Sequence, residues 1–178
     1  NFLMEFDISK CFYHIYTHSI TWAVKDKEYA KLNSNKITFE NNFDKLMQHS
    51  NYNETNGIVV GPEISRIFAE IILQQVDLNV LTKLNKLDLK FGIDYDVRRY
   101  VDDFFVFSNN ADILETVKKT FQNELQFYKL YLNPNKGDVK ISPFLSDIAV
   151  GKLELKEFLI DFYNNLFEEI IIDENSTK

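Results

Sequence analysis

The sequence predicts an α+β fold, a small antiparallel sheet with helices packed on one face. Three observations carry this. The stretch "RRYVDDFFVF" (98–107) sets β-branched and aromatic runs on both sides of an Asp-Asp pair, which reads as a tight hairpin with two acids at its tip. A similar run, "FLMEFDI" (2–8), stands near the start of the chain. Between and after these runs lie segments with helical period, and the order strand, helix, hairpin, helix, strand belongs to an α+β sheet.

The elements follow in chain order. Residues 2–8 form the first strand. "KCFYHIYTHSITWAV" (10–24) reads as one or two segments, a helical turn plus a helix, with Phe12, Ile15 and Tyr16 at helical spacing. "NSNK" (33–36) is a loop, and 38–50 is an amphipathic helix with Thr38 as its N-cap. "NYNETNG" (51–57) is a polar loop. Pro62 suits the first position of a long helix, 62 to about 81, whose apolar Ile64, Ile67, Phe68, Ile71, Ile72 and Val76 are expected to share one buried face. The hairpin strands are about 93–101 and 104–108. A helix follows over roughly 111–128, started by "NNAD". "LYLNPNKGDVKISPF" (130–144) carries a Pro- and Gly-marked turn between short strands, and 153–171 reads as an apolar-acidic helix.

Composition bounds the function. At 178 residues the chain suggests one compact domain or most of one. It is 45% hydrophobic with 16 Phe and 9 Tyr, enough for a sizeable core. The single Cys excludes an intrachain disulfide and fits a reducing compartment, with the cytoplasm as the expected location. No apolar run reaches the ~20 residues of a membrane span, so no membrane partner is expected. The chain begins on Asn1 and enters an apolar segment at once, which suggests a piece of a longer protein. The net charge of −7 is concentrated late: Glu157, Asp161, Glu168, Glu169, Asp173 and Glu174 face only Lys178 after residue 156. That tail reads as a solvated acidic helix face. The remainder is near neutral and has no basic stripe, which argues against strong independent binding to nucleic acid.

An Asp-Asp pair is by default a solvated turn. Chemistry requires a third carboxylate, and Asp7 ends the first strand. If that strand lies beside the hairpin, Asp7 and Asp102 converge. Carboxylates that converge repel unless a cation joins them. Mg²⁺ prefers such hard oxygen ligands together with substrate phosphates, and two ions can clamp an in-line phosphoryl transfer. A general acid–base pair is the competing use. Cys11, His14 and His18 at i, i+3 and i+7 also present zinc-type ligands, but no fourth is evident and a structural role is the plainer reading. Trp22 reads as a core or interface anchor. Of Arg98 and Arg99, one is expected to pair an acid and the other to be solvated.

"FDISKCF", "GIVVGPEISRIFAEIIL", "RRYVDDFFVF" and "LYLNPNK" stand in the order of motifs A, B, C and D of reverse transcriptases, and "YVDD" matches the family's Tyr-x-Asp-Asp. Each motif is weak alone; the ordered set, between residues 6 and 136, is specific. The chain therefore resembles the palm of a reverse transcriptase. The resemblance implies that part of the fingers is inserted between motifs A and B, with the other fingers motifs and the thumb expected outside 1–178. In motif B, Gly61-Pro62-x-x-Ser65-Arg66-x-x-Ala69-Glu70 is similar to bacterial abortive-infection reverse transcriptases, which act in defence against phage. Some of these make DNA without a template, primed on protein.

The resemblance implies roles residue by residue. Asp7 and Asp102 would hold two Mg²⁺ ions, with Mn²⁺ as a substitute and the Ile8 carbonyl as a further ligand. Asp103 would be an accessory acid, since neighbouring strand side chains diverge. Phe12 would exclude a ribose 2′-OH. Gly61 would let the backbone approach a nucleotide. Ser65 and Arg66 would meet phosphate at the helix start. Lys136 would be the acid for departing pyrophosphate. Implied partners are dNTPs and a nucleic-acid primer–template or a protein primer, with self-association through regions outside 1–178 compatible with the same reading. Residues 1–178 alone would fold but be inactive. A degenerate palm serving as a binding or assembly module is the alternative from another class. An RNA-templated RNA polymerase shares the palm, and Phe12 argues against it.

Overall fold

The computed structural model describes residues 1–145 and 147–174, with side chains for 1–145 and 148–166. Two compact units are present, Asn1–Ile141 and Ser142–Lys178.

The first unit is built on a four-stranded antiparallel sheet. Its strands are β1 (Phe2–Asp7), β2 (Tyr95–Tyr100), β3 (Asp103–Ser108) and β4 (Val139–Ile141), in the order β2-β3-β1-β4. β2 and β3 form the expected hairpin, and β1 returns from far away in sequence to pair with β3. One sheet face is buried. On β3, Phe104 and Val106 are inward while Phe105 is partly exposed, the alternation that a sheet covered on one side requires.

Helix α6 (Ala111–Phe127) packs on that face. Its Phe121 ring lies 4.8 Å from Phe104 and 5.9 Å from Phe6, and Phe6 stacks on Phe104 at 5.1 Å. Such aromatic pairs add about 0.5–1.5 kcal/mol each beyond the area they bury. Asn110 caps α6 by accepting from the Asp112 N–H at 2.9 Å. The long helix α5 (Glu63–Lys86) packs beside α6 and completes the core.

Four helices lie between β1 and α5: α1 (Cys11–His14), α2 (Ser19–Val24), α3 (Lys27–Leu32) and α4 (Phe39–Ser50). The 10–24 segment is two pieces, the helical turn α1 and the helix α2, within the expected reading. It breaks at Ile15, where ψ turns to 119°, and Tyr16 then forms a bridge with Asn56. The break separates His18 from Cys11 and His14, so the three do not share a helical face. α3 was not anticipated. Asp26 starts it by accepting from the Tyr29 N–H at 2.6 Å, a cap signal present in "DKEY". Thr38 caps α4 as expected.

The buried stripe of α5 also differs from expectation. Phe68, Ile72 and Val76 are buried, with Ser65, Ala69, Leu73, Val80 and Leu84 completing the stripe. Ile64 and Ile67 are 42% and 43% exposed. Apolar residues run around both sides of this helix, so periodicity alone did not select the inward face.

The second unit holds helix α7 (Asp147–Glu174), longer than the expected 153–171. Its described side chains from Glu157 to Leu166 are exposed. The side chains of Glu168, Glu169, Asp173 and Glu174, and Lys178 altogether, lie outside the described residues, as does that part of the acidic-tail expectation. Among the described residues no helix is long and apolar enough to cross a membrane.

Candidate active site

Register decides which acids meet. β1 and β3 pair so that Asp7 stands directly across from Asp103. Opposed residues of an antiparallel pair project to the same side with Cβ atoms ~5 Å apart, and like charges there repel. Asp103 was expected to diverge from the pair. It faces Asp7 because the hairpin turn closes on Val101 and Asp102 and β3 begins at Asp103. Asp102 occupies the turn itself, and its carbonyl accepts from the Ile8 N–H at 3.1 Å.

The turn is conformationally unusual. Val101 has φ 55°, and Asp102 is not in the positive-φ region. A two-residue hairpin loop with positive φ at its first central position is of the II′ kind, which normally places Gly there. A β-branched residue in this conformation is strained, by about 1–3 kcal/mol.

The acids are poorly compensated. Asp7 Oδ1 is buried without a hydrogen-bond partner. Burial holds the Asp102 carboxyl above the usual range, and the charges of Asp103 and Asp7 push it further the same way. The nearby cation is Lys136, whose Nζ lies 3.4 Å from Asp7 Oδ2 and 3.6 Å from Asp103 Oδ1. Partial burial would lower its pKa, but the Asp7 and Asp103 charges outweigh that and raise it. Asn133 and Lys136 reach the site because the Asn133 N–H donates to the Asp7 carbonyl at 2.9 Å, tying the 130–136 loop to the end of β1.

A cleft of about 240 Å³ opens against this edge. Phe12 forms one wall, Gly61, Pro62, Glu63 and Arg66 another, and Tyr100, Val101, Asp102 and Asp103 the third. Gly61 has φ 117°, and a Cβ there would meet nothing within 4 Å, so glycine serves the backbone conformation and leaves the approach open. Arg66 is exposed and forks onto the Glu63 carboxylate. Ser65 turns away from the cleft. It is 1% exposed, with its Oγ unpartnered in the core side of α5. Ile8 is likewise buried behind the acids.

The predicted residues thus separate into two sets. Phe12, Gly61, Arg66, Asp102 and Asp103 share the cleft, with Asp7 across from Asp103 and Lys136 beside both; Ser65 does not reach it, and of Ile8 it was the carbonyl, not the buried side chain, that was expected there. Among the described residues no group of three or more His, Cys, Asp or Glu side chains forms a ready-made metal cage. The donor set at the cleft nevertheless suits a hard cation, because Asp7 carries an orphaned buried oxygen and the acids repel. Cys11 is no candidate nucleophile, since burial first and the Asp102 charge second push its thiol up to about 12. His18 pairs with Asp44 at 2.5 Å. Arg98 pairs with Asp96 at the surface.

Arg99 has a role that sequence reasoning left open. Its side chain is 8% exposed and binds Glu70 and Asp77, about one and three turns along α5 from Arg66 at the cleft. Burial would lower the guanidinium pKa, but the hydrogen bonds it donates to Glu70 and Asp77, with their charges, outweigh this and raise it. The only sequence signal for these partners was the acidic spacing i, i+7 on one helix.

A family model described as Reverse transcriptase (RNA-dependent DNA polymerase) matches residues 1–154. Among solved structures, telomerase from Candida albicans in complex with a TWJ fragment of telomeric RNA aligns with TM-score 0.55 at 15% identity, over 82% of this chain and 27% of that one. Apo telomerase from Candida tropicalis truncated from its C-terminal domain gives 0.53 at 20% identity, over 82% and 31%. Apo telomerase from Candida tropicalis gives 0.54 at 17% identity, over 80% and 28%. At these identities the likeness is one of fold, and the chain spans less than a third of each telomerase. No curated protein matches.

Proposed function

The chain belongs to the reverse transcriptase (RNA-dependent DNA polymerase) family, and from that premise we propose that its cleft joins dNTPs into DNA by metal-dependent nucleotidyl transfer. On this reading residues 1–178 are a palm with part of the fingers. The observation that carries it is Asp7 standing across from Asp103 with Asp102 in the adjoining turn, where burial and both charges raise its pKa, together with an unpartnered Asp7 oxygen. A scaffold has no physical need for that arrangement.

Asp7 and Asp102, with Asp103 beside them, are the residues to hold Mg²⁺, two ions when a nucleotide is bound, with Mn²⁺ as a substitute. The bound metal supplies charge neutralisation at the phosphates and a more acidic attacking hydroxyl. Phe12 forms the wall against which the sugar rests and excludes a 2′-OH. Gly61 lets the triphosphate approach the start of α5, where Arg66 exchanges Glu63 for phosphate oxygens. Lys136, held protonated by Asp7 and Asp103, is positioned to give its proton to the leaving pyrophosphate.

The motif B form supports a narrower reading, a bacterial abortive-infection enzyme acting against phage, with untemplated synthesis as its distinguishing product. Incorporation of labelled dNTPs by the full-length protein, with and without primer–template, tests both levels. Asp7→Asn and Asp102→Asn each lower incorporation by more than about 10²-fold, and Asp103→Asn lowers it less. Near wild-type synthesis by Asp102→Asn would sink the site assignment. A product that copies the supplied template would exclude the untemplated reading alone.

A further inference from the structure

The turn that carries Asp102 is held from both of its carbonyls. The Asp102 carbonyl accepts from the Ile8 N–H at 3.1 Å, directly after Asp7. The Val101 carbonyl accepts from Arg99 Nη1 at 2.9 Å. Arg99 is itself fixed to α5. Nε and Nη2 donate to Asp77 Oδ2 at 2.9 and 2.7 Å, while Nη1 and Nη2 donate to the two Glu70 oxygens at 2.8 Å each. With the bond to Val101, every N–H of the guanidinium fork is used. Glu70 and Asp77 lie 7 positions apart on one helix and are about 30% exposed, so the anchor is sheltered rather than solvated.

This geometry meets a need. Val101 is held at φ 55°, a conformation that a β-branched residue abandons unless its surroundings fix it. The same helix that receives Arg99 supplies Glu63 and Arg66 to the cleft wall, and Gly61 and Pro62 lead directly into it. We propose that Arg99, clamped by Glu70 and Asp77, is a positioning residue that holds the strained Val101–Asp102 turn against α5 and so fixes Asp102 relative to the nucleotide wall. Arg99 touches no reacting atom. It acts through the Val101 carbonyl, and its significance for catalysis rests on the proposed polymerase reading of the acids.

The test uses the full-length protein and the substitutions Arg99→Lys, Glu70→Gln and Arg99→Lys/Val101→Gly. Lysine keeps the charge but has three donors on a point cation, so it cannot hold both acids and the turn carbonyl in the fork geometry. Arg99→Lys is expected to lower kcat for dNTP incorporation about 10²-fold, the cost of an ångström-scale misplacement, with little change in KM. Glu70→Gln gives a smaller loss of the same kind. Adding Val101→Gly, which adopts positive φ without strain, recovers about tenfold. A residue serving only the fold would show neither the kcat-selective loss nor the recovery.

Hydrogen exchange over residues 98–106 reads the clamp without turnover. Arg99→Lys speeds exchange there and at Ile8 while the α6 amides keep their protection. Unchanged kcat and unchanged exchange in Arg99→Lys overturn the proposal, as does a kcat loss that Val101→Gly fails to relieve in a folded protein. If the wild-type chain makes no DNA, or Asp102→Asn makes it normally, the polymerase reading falls, and the exchange result still decides whether Arg99 holds the turn.

Discussion

Around the hairpin turn, Asp7, Asp102 and Asp103 crowd one edge with Lys136 as their near cation, and one Asp7 oxygen has no partner at all. In the helical insertion between β1 and α5, Asp44 is as buried as many core residues, yet it accepts from His18 Nδ1 at 2.5 Å and from Gln48 Nε2 at 2.6 Å. Rings of the insertion also receive cations, Lys27 of α3 over Trp22 at 4.5 Å and Lys129, from just beyond α6, over Tyr16 at 3.9 Å. Both regions take charge out of water. The insertion neutralises it locally, which stabilises the fold. The turn leaves it unbalanced toward an open cleft, which costs stability and, on the proposed function, keeps the acids ready for a cation. The direction of each pKa says the same: Asp102 is raised, whereas Asp44 is lowered because the bonds from His18, Thr17 and Gln48 outweigh its burial.

Removing an acid should therefore have opposite consequences in the two places. Asp44→Asn strands His18 and Gln48 around a neutral amide and is expected to cost about 2–3 kcal/mol, read by denaturant unfolding, with dNTP incorporation retained by the folded fraction. A neutral or stabilising result would break the comparison.

Phe12→Ala opens the cleft wall without touching a charge. If the ring rests beneath the sugar, the ratio of rNTP to dNTP use rises by about tenfold or more, equivalent to ~1.4 kcal/mol in transition-state energy. An unchanged ratio would remove Phe12 from the sugar pocket.

Asp102→Asn should raise the melting temperature while abolishing synthesis. The folded-state pKa of Asp102 lies above its ordinary value, so its contribution to stability is present below that value and is lost as pH rises through the raised one. At neutral pH the charged form burdens the fold, and asparagine relieves it. A lower melting temperature in Asp102→Asn would show that the acids are compensated after all.

The smallest expected effect is at His18. Its hydrogen bond to Asp44 raises its pKa above 6.5 despite burial. The stabilisation is fully present below pH 6.5 and fades as pH climbs through the raised value, while the Asp44 contribution fades only as pH falls through its depressed value. The His18 side chain is 42% exposed, so solvent screening limits the effect to about 1 kcal/mol or less. Melting curves between pH 6 and 9 should show this decline in the wild type and not in His18→Gln.

Local chemistry was legible from the chain alone. The caps at Thr38 and Asn110, the Pro62 boundary of α5, the hairpin around "VDD" and the order of the four motifs depend on residues within a few positions of one another, where propensity, period and turn chemistry act. The three carboxylates stood out as candidates, because acids at apolar strand ends violate the pattern around them. Other features depended on partners distant in sequence. The pairing of Asp7 with Asp103 follows from a register between strands nearly a hundred residues apart. The break after His14 follows from the bridge of Tyr16 to Asn56. Which isoleucines of α5 face inward follows from what packs against that helix, and the partners of Arg99 lie 22 and 29 positions away. Sequence fixes what a residue prefers within its own turn or strand, whereas which charge it meets across the core is decided only when the whole set of packing contacts forms together.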